Sequence, residues 1–114
     1  MTELCIFCEI AEGNAPATFV AEWDRVIAIM PLNPVVPGHV LVLPRKHVAD
    51  FTESPYLSGE VMQQAGWLAR EMGPCNLITS VGPEATQSIF HLHLHLVPRR
   101  YNDGLALPWH PGKA

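Results

Sequence analysis

The segment Phe90–Leu96 alternates strictly between apolar residues and histidines, and it holds three of the six histidines in the chain. In a strand, this period of two places His91, His93 and His95 on one face, with Cβ atoms roughly 6–7 Å apart, and the leucines on the other. Three imidazoles with only a structural role would repeat the cost of burying a polar group. The pattern therefore favours a functional site, and two kinds of chemistry fit it: a metal site, or a nucleophile that attacks phosphorus.

The residues just before this segment favour phosphorus chemistry. Gly82, Gln87 and Ser88 offer backbone N–H groups and polar side chains that can bind phosphate oxygens. A metal hydrolase more often has a carboxylate near its ligands, and the sequence has none between Glu84 and Asp103. We therefore expect Gln87 and Ser88 to stabilise the charge that develops on phosphorus.

Cys5 and Cys8 form a Cys-x-x-Cys motif, which occurs in redox sites and in zinc sites. No predicted strand precedes the motif, and this weakens the redox interpretation. A zinc site needs two further ligands, and composition alone offers the following candidates: His39, His47, Cys75, His91 and His110. The alternative is that both cysteines are small buried hydrophobic residues. Spacing by itself leaves this choice open.

The composition indicates one globular domain. The chain has 114 residues, of which 48% are hydrophobic and 16% charged, so it is long enough for one core and too short for two. We interpret residues 1–114 as a single domain whose C-terminal tail covers residues 101–114. The formal net charge of −4 provides no basic surface for nucleic acid.

Three features of the sequence bear on the cellular location of the protein. The longest apolar runs, such as Val40–Leu43, are far shorter than the roughly 20 residues that cross a bilayer, so no membrane contact is expected. The first five residues contain an acid and no base ahead of a long apolar stretch, which is unlike a secretory signal. The number of cysteines, three, is odd. These features predict a cytoplasmic protein without structural disulfides.

Two helices and five strands are predicted to position the chemical residues. Gly13 ends a short first helix, whereas Ser54-Pro55 and Gly73-Pro74 bound a long second one. The long helix has one apolar stripe, formed by Leu57, Val61, Ala65, Leu68 and Met72. The predicted helices cover residues 5–12 and 55–72, and the predicted strands cover residues 18–23, 26–30, 39–44, 75–81 and 88–97. Their order favours an α+β fold, with an antiparallel sheet covered on one face by helix.

Several motifs together resemble the histidine triad (HIT) family. They are His91-Leu92-His93-Leu94-His95-Leu96-Val97, Cys5–Ile10, Pro37–His47, and Gln87-Ser88 before the triad. The resemblance implies a HIT-like α+β fold with a five-stranded antiparallel sheet, one long helix and a short N-terminal helix. It also implies a homodimer.

The resemblance further implies roles for single residues. The middle histidine, His93, is transiently nucleotidylated, which divides one difficult displacement into two easier ones. His95 hydrogen-bonds the non-bridging phosphate oxygens or helps to protonate the leaving group, and His39 lies beside the triad as an orienting group. The resemblance also implies a closed, structural Zn²⁺ site with these ligands: Cys5, Cys8, His47 and His91. Cys75 is then an ordinary core residue.

Two positions depart from the phosphoramidase branch of that family. Pro31 stands where the branch has an aspartate that contacts the ribose, and Ser80 stands where it has an asparagine. Proline offers neither an acceptor side chain nor an N–H, so ribose recognition must either come from elsewhere or be weak. Ser80 remains a candidate substrate contact. Val26, Ile27, Ile29 and Leu32 fit two interpretations equally: an apolar slot that contacts the base, or the core of the domain. The tail Leu107–Gly112 resembles the C-terminus that shapes the phosphoramidase substrate entrance across the dimer.

Three functions fit these observations. The first is hydrolysis at the α-phosphate of a nucleoside phosphoramidate or a similar activated purine nucleotide, through an adduct on His93. The second is cleavage of dinucleoside polyphosphates, because Asn33–His39 resembles that branch too. The third is a zinc-stabilised nucleotide-binding module without turnover, which Pro31 and Ser80 favour. Turnover of an adenosine phosphoramidate and of a diadenosine polyphosphate separates the first two functions.

Overall fold

The computed structural model describes residues 5–113 and has a five-stranded sheet between two helices of unequal length. The elements in chain order are α1 (Ile6–Ala11), β1 (Phe19–Glu22), β2 (Val26–Ile29), β3 (Val40–Pro44), α2 (Pro55–Met72), β4 (Cys75–Ile78), a 3₁₀ turn (Pro83–Ala85) and β5 (Leu94–Pro98). The strand order is β1-β2-β3-β5-β4, and each neighbouring pair is antiparallel. The predicted α+β fold is therefore confirmed, and its last strand lies inside the sheet.

The long helix α2 begins and ends where its capping residues predict. The Ser54 hydroxyl accepts a hydrogen bond from the Leu57 N–H, and Gly73 ends the helix with a φ of +88°. The predicted stripe faces the sheet, with three of its residues buried and the other two packed against the same core. The sheet contributes the following buried residues to this face: Val26, Ala28, Val40, Val42, Leu94 and Leu96. The leucines of the histidine segment thus belong to the core under α2.

The short helix α1 covers part of the opposite face, which the sequence pattern left uncovered. Its two buried residues, Phe7 and Ile10, pack on Ile27, Ile29, Leu41 and Leu43 of β2 and β3. The Cys5 sulfur caps the helix by accepting the Cys8 N–H at 3.5 Å. This end of the sheet is therefore a three-layer structure, and the layer that carries Cys5 and Cys8 lies on the histidine side.

The fifth strand is shorter than predicted. It begins at Leu94, so His91 and His93 precede it, and the prediction of a strand over residues 88–97 is wrong at its start. The backbone groups of this stretch bond elsewhere: Leu92 N–H donates to the Val48 carbonyl, and the His93 carbonyl accepts from the Thr79 hydroxyl. The fourth strand is also shorter than predicted: β4 ends at Ile78 instead of residue 81, and the Thr79 that follows it bonds the His93 carbonyl through its side chain. Just before β5, these two hydrogen bonds of Leu92 and His93 take the place of regular hydrogen bonds between strands.

Gly38 brings His39 close to β5. Its φ of +91° lies in the left-handed region, and a Cβ atom at this position would stand 3.1 Å from Pro98 Cγ. Another residue here would be strained by the backbone conformation and would crowd Pro98, so glycine suits the close approach of this turn to the end of β5. His39, which follows Gly38, lies with its Nε2 3.0 Å from His95 Nδ1.

The predicted tail is folded back on itself. Gly104 N–H donates to the Gly112 carbonyl, and Leu107 and His110 exchange two backbone hydrogen bonds. Arg99 and Asp103 form an ion pair at the start of this hairpin-like segment. Among residues 5–113, no helix has the length and apolar character needed to cross a membrane.

Candidate active site

One ring nitrogen of His93 is held by a hydrogen bond, and no group among residues 5–113 bonds the other. Its Nδ1–H donates to the His91 carbonyl at 2.7 Å, so the unprotonated Nε2 keeps its lone pair. Burial lowers the pKa of His93 below the ordinary value, which keeps the ring neutral near pH 7. The side chain lines a cavity. A neutral imidazole with a free Nε2 at a cavity wall has the form that a nucleophile requires.

His39 and His95 form a second, directed pair. The Val35 backbone N–H donates to His39 Nδ1 at 3.2 Å, so the proton of His39 is on Nε2. That Nε2–H then donates to His95 Nδ1 at 3.0 Å, which leaves the proton of His95 on its own Nε2. Burial, followed by the nearby His93 and His39, lowers the pKa of His95 to about 4. His95 is thus a neutral donor whose ring centroid lies 5.0 Å from that of His93.

The cavity next to these histidines has a volume of about 500 Å³. His39, His93 and His95 line it together with Leu41 and Val97 of the sheet. Loops complete the wall with Pro31, Asn33, Val35, Ser80, Thr86, Gln87, Ser88 and Ile89. The structure therefore brings the three proposed catalytic histidines to one cavity, together with three of the predicted substrate contacts.

Gln87 and Ser88 differ in what they can offer a ligand. The Gln87 amide donates to the Ala49 and Ile89 carbonyls and accepts from the Gly82 N–H, so its two N–H groups are both used. Its side chain therefore holds the loop in shape. Among residues 5–113, no group pairs with the Ser88 hydroxyl, and that side chain is exposed. Ser88 is thus the better candidate for a direct phosphate contact.

The expected apolar slot is not assembled by the four residues named for it. Val26 points into the core under α2, whereas Ile27 and Ile29 point into the core under α1, because neighbouring strand residues face opposite sides. Leu32 is 95% exposed and lies outside the cavity lining. A slot formed jointly by these residues is therefore a wrong prediction.

Sequence reasoning missed several residues that the fold brings to the cavity. They are Phe7, Asn33, Asn76, Ile78, Arg99, and residues 105–107. The exposed amide of Asn33 lies two residues after Pro31, which stands where the phosphoramidase branch has its ribose-binding aspartate. Thr79, whose hydroxyl holds the His93 carbonyl, was also missed. Phe7 lies in α1, and the others lie in strands or loops, where no periodic pattern marks their side chains as functional.

The four predicted zinc ligands form one cluster. Their ligand atoms all lie within 4.8 Å of one another. His91 Nδ1 lies 3.4 Å from Cys5 Sγ and 3.6 Å from Cys8 Sγ, and His47 Nδ1 lies 3.4 Å from Cys8 Sγ. Zinc bonds of about 2.3 Å to sulfur and about 2.1 Å to nitrogen at tetrahedral angles separate the two ligand atoms by about 3.6 Å. The donor set therefore fits a tetrahedral Zn²⁺ ion.

The protonation of the cluster also suits a cation. His91 Nε2–H donates to the Pro44 carbonyl at 2.8 Å, so Nδ1 faces the cysteines with a lone pair. Burial lowers the pKa of His91 to about 4 and thereby keeps the ring neutral. Burial and the neighbouring Cys5 raise the pKa of Cys8 to about 11. A bound cation would reverse that rise, because it stabilises the thiolates.

Phe7 joins the cysteine cluster to the cavity. Its ring meets those of His91 and His93 edge to face, at centroid distances of 5.7 and 5.1 Å. The residue lies between the two cysteines of the motif, is buried, and lines the cavity. The three triad histidines are therefore divided between two sites, with Phe7 packed between His91 and His93.

A family model described as "HIT domain" matches residues 12–102 of the chain. An uncharacterised HIT-like protein of Methanocaldococcus jannaschii is 35% identical in an alignment that covers 89% of this chain and 83% of that protein. The protein named "Protein hit" of Bacillus subtilis is 34% identical in an alignment that covers 94% of this chain and 79% of that protein.

Two solved structures have the same architecture. A HIT family hydrolase from Clostridium thermocellum is 33% identical, covers 97% of both chains and superposes with a TM-score of 0.78. A zinc-bound histidine triad family protein from Mycobacterium smegmatis is 36% identical, covers 90% of this chain and 80% of its own, and has a TM-score of 0.79.

Proposed function

Because the chain belongs to the HIT family, we propose that it hydrolyses an activated purine nucleotide, such as a nucleoside phosphoramidate, through a nucleotidyl adduct on His93. The observation that carries this proposal is the opposite protonation of two ring nitrogens at one cavity. His93 has an unprotonated Nε2, whereas His95 carries its proton on Nε2. One can attack phosphorus while the other donates to its oxygens.

The first step exchanges one bond to phosphorus for another. His93 Nε2 forms a bond to the α-phosphorus as the bond from phosphorus to the leaving nitrogen breaks, and its electron pair leaves with that nitrogen. The nitrogen takes a proton from water and departs as an amine. In the second step, a second water molecule attacks phosphorus and gives a proton to the hydroxide that the first step left. The bond to Nε2 breaks and returns its electron pair to the ring, so the nucleoside monophosphate leaves with His93 neutral again.

His95 acts in this scheme as a hydrogen-bond donor to a non-bridging oxygen. Its lowered pKa means that it carries no extra proton to give away near pH 7, so donation to the developing charge suits it better than protonation of the leaving group. His39 orients it by occupying Nδ1. The Ser88 hydroxyl adds a second donor at the same cavity, and Gln87 holds the loop that carries it.

We also propose that Cys5, Cys8, His47 and His91 bind Zn²⁺. The donor geometry and the zinc-bound M. smegmatis relative support this assignment. With four protein ligands the ion would be structural, and it would fasten α1 to the segment that carries His93.

A homodimer and a cytoplasmic location remain part of the proposal. The resemblance of Leu107–Gly112 to the family's C-terminus supports the dimer. The unpaired cysteines, two of which belong to the Cys/His cluster, support a reducing compartment such as the cytoplasm.

Mass spectrometry of the His95→Ala protein tests the nucleophile directly. Brief exposure to an adenosine phosphoramidate, followed by a denaturing quench, should leave one nucleoside monophosphate on the peptide that contains His93. The His93→Ala protein should form no adduct and lose turnover by about 10³-fold or more, while it still binds nucleotide. Full hydrolysis by His93→Ala would show that the nucleophile is another group.

A further inference from the structure

The imidazole ring of His93 lies between two other aromatic rings. Its centroid is 5.1 Å from that of Phe7 and 5.0 Å from that of His95, and both contacts are edge to face. The hydrogen bond from Nδ1–H to the His91 carbonyl holds one edge of the ring. The torsion that turns an imidazole about its Cβ–Cγ bond has a broad energy profile. The two neighbouring rings therefore restrict an orientation that one hydrogen bond would restrict only in part.

The orientation of this ring determines whether a nucleophile faces the cavity. In the observed orientation the backbone binds Nδ1–H, and Nε2 keeps its lone pair. Turning the ring over would put Cδ2 in the place of Nδ1 and break this hydrogen bond, after which the ring proton is free to move to Nε2. The lone pair that attacks phosphorus would then be lost. Any group that restrains the ring thus preserves the nucleophile.

Phe7 reaches His93 from a helix that the Cys/His cluster (Cys5, Cys8, His47 and His91) helps to hold. The residue lies in α1 between the two cysteines and is 4% exposed. Its ring also meets that of His91 edge to face at 5.7 Å. The helix has six residues, and its capping sulfur, Cys5 Sγ, lies 3.4 Å from His91 Nδ1. An ordered cluster therefore keeps Phe7 beside both histidines.

From these contacts we infer that Phe7 is a positioning residue through which the Cys/His cluster acts on the nucleophile: the cluster holds α1 in place, and Phe7 on that helix keeps the His93 ring turned with Nε2 available to the cavity. This inference rests on the proposed function and adds a residue to its machinery. An edge-to-face aromatic contact changes an equilibrium by about two- to tenfold. Loss of the Phe7 ring should lower kcat by a factor of that order.

Phe7 also lines the cavity, and a role as a ligand contact predicts different kinetics. If the ring only touched the bound nucleotide, its removal would raise KM and leave kcat unchanged. If the ring positions His93, its removal lowers kcat and leaves KM unchanged, because the ligand contacts remain.

Kinetics of Phe7→Leu with an adenosine phosphoramidate separate these roles. The substitution keeps an apolar side chain but removes the ring, so we expect kcat to fall about fivefold while KM stays within about twofold. Val61→Ala is the matched control, since it removes buried volume from the core under α2, on the other face of the sheet. It should lower the urea midpoint and keep the wild-type kcat. A change in KM alone for Phe7→Leu, or an equal loss of kcat in Val61→Ala, would overturn the inference.

A double-mutant cycle tests the connection to the cluster. Cys5→Ser removes one sulfur of the cluster and keeps a side chain that can cap α1. Alone, it should lower kcat by about the same factor as Phe7→Leu. In the Phe7→Leu background it should lower kcat by no more than about a further twofold, because the ring through which the cluster acts is already gone. Losses that multiply in the double variant would mean that the cluster acts by another route, and the inference would be wrong.

His47→Asn replaces Cys5→Ser in this cycle if the cysteine variant does not fold. It removes a member of the cluster that is exposed, and it leaves both sulfurs in place. Its effect on kcat in the wild-type and Phe7→Leu backgrounds has the same interpretation.

The tautomer of His93 provides a measurement that needs no turnover. Heteronuclear NMR of the imidazole nitrogens near neutral pH should show the proton of His93 on Nδ1 alone in the wild type and in Val61→Ala. In Phe7→Leu and in Cys5→Ser we expect a mixture of both tautomers. A wild-type tautomer in a folded Phe7→Leu protein would contradict the positioning role.

The positioning role and the proposed function can fail separately. If the tautomer changes as expected but His93→Ala retains full hydrolysis, the function is wrong and the role of Phe7 in holding the ring stands. If an adduct forms on His93 while Phe7→Leu keeps both its kcat and the wild-type tautomer, the function stands and the role of Phe7 is wrong.

Discussion

Each histidine near the cavity has one ring nitrogen fixed by a neighbour, and this sets what the other nitrogen can do. The fixing groups are the His91 carbonyl for His93, the Val35 N–H for His39 and the Pro44 carbonyl for His91. Pro44 lies 47 residues from His91 in the chain, so no local pattern reveals it. The histidine spacing predicted which residues matter, but the tautomer of each depends on backbone partners that the spacing does not reveal.

His39→Phe tests whether the tautomer of His95 matters. The phenyl ring fills a similar volume but cannot donate to His95 Nδ1, so the His95 proton is free to move to that nitrogen. We expect kcat to fall about ten- to a hundredfold with little change in KM, since the substrate groups stay in place. The exposed His110 serves as control, and His110→Phe should keep the wild-type kcat. An unchanged kcat in His39→Phe would contradict the orienting role.

At the scale of elements, capping residues and apolar periodicity predicted where the helices lie. The bounds of β4 and β5 depend instead on hydrogen bonds made outside the regular pairing between strands. Ser54 and Gly73 mark the observed bounds of α2. In contrast, β5 begins at Leu94 because Val48 and Thr79 bond the backbone just before it. Side chains on separate loops, such as Asn33, reach the cavity only through the turns of the fold. Such contacts have no signature in a single sequence.

The helix α1 should depend on the metal cluster for its stability. It has six residues, far fewer than the roughly 12–15 that an isolated helix needs, and it buries only Phe7 and Ile10. We expect about one equivalent of zinc in the wild-type protein, and in Cys5→Ser a loss of more than half of it with a lower urea midpoint.

Cys75→Ser is the matched control for this prediction, because Cys75 lies on β4 and outside the cluster. It should keep the zinc content of the wild type. Wild-type protein purified without added metal that holds less than about half an equivalent would contradict the native zinc site.

The whole molecule buries several imidazoles that an unfolded chain would expose to water. Burial lowers the pKa of His39 and His93 below the ordinary value, and it lowers that of His95 to about 4. Below pH 6.5 the unfolded chain therefore binds more protons than the folded one. It follows that the free energy of unfolding decreases as the pH falls from about 6.5 towards 4, by at most about 1.4 kcal/mol per pH unit for each histidine.

His95→Asn should make this pH dependence shallower, since it removes one of the buried groups. Urea unfolding of both proteins between pH 7.5 and 4.5, at the same saturating zinc concentration, gives the two slopes. The exposed His110 again provides the control, and His110→Asn should keep the wild-type slope. Equal slopes for wild type and His95→Asn would mean that His95 is not held neutral by the fold.

The position of β5 inside the sheet has a consequence for how the protein is made. Of the five strands described, β5 is the last in the chain, yet it pairs with β3 on one side and β4 on the other. The hairpin of β2 and β3 can form early from local contacts, whereas His39 meets His95 only across 56 residues and Cys5 meets His91 across 86. Both clusters therefore assemble only when β5 closes the sheet, so a nascent chain acquires its nucleophile after the other four described strands have been synthesised.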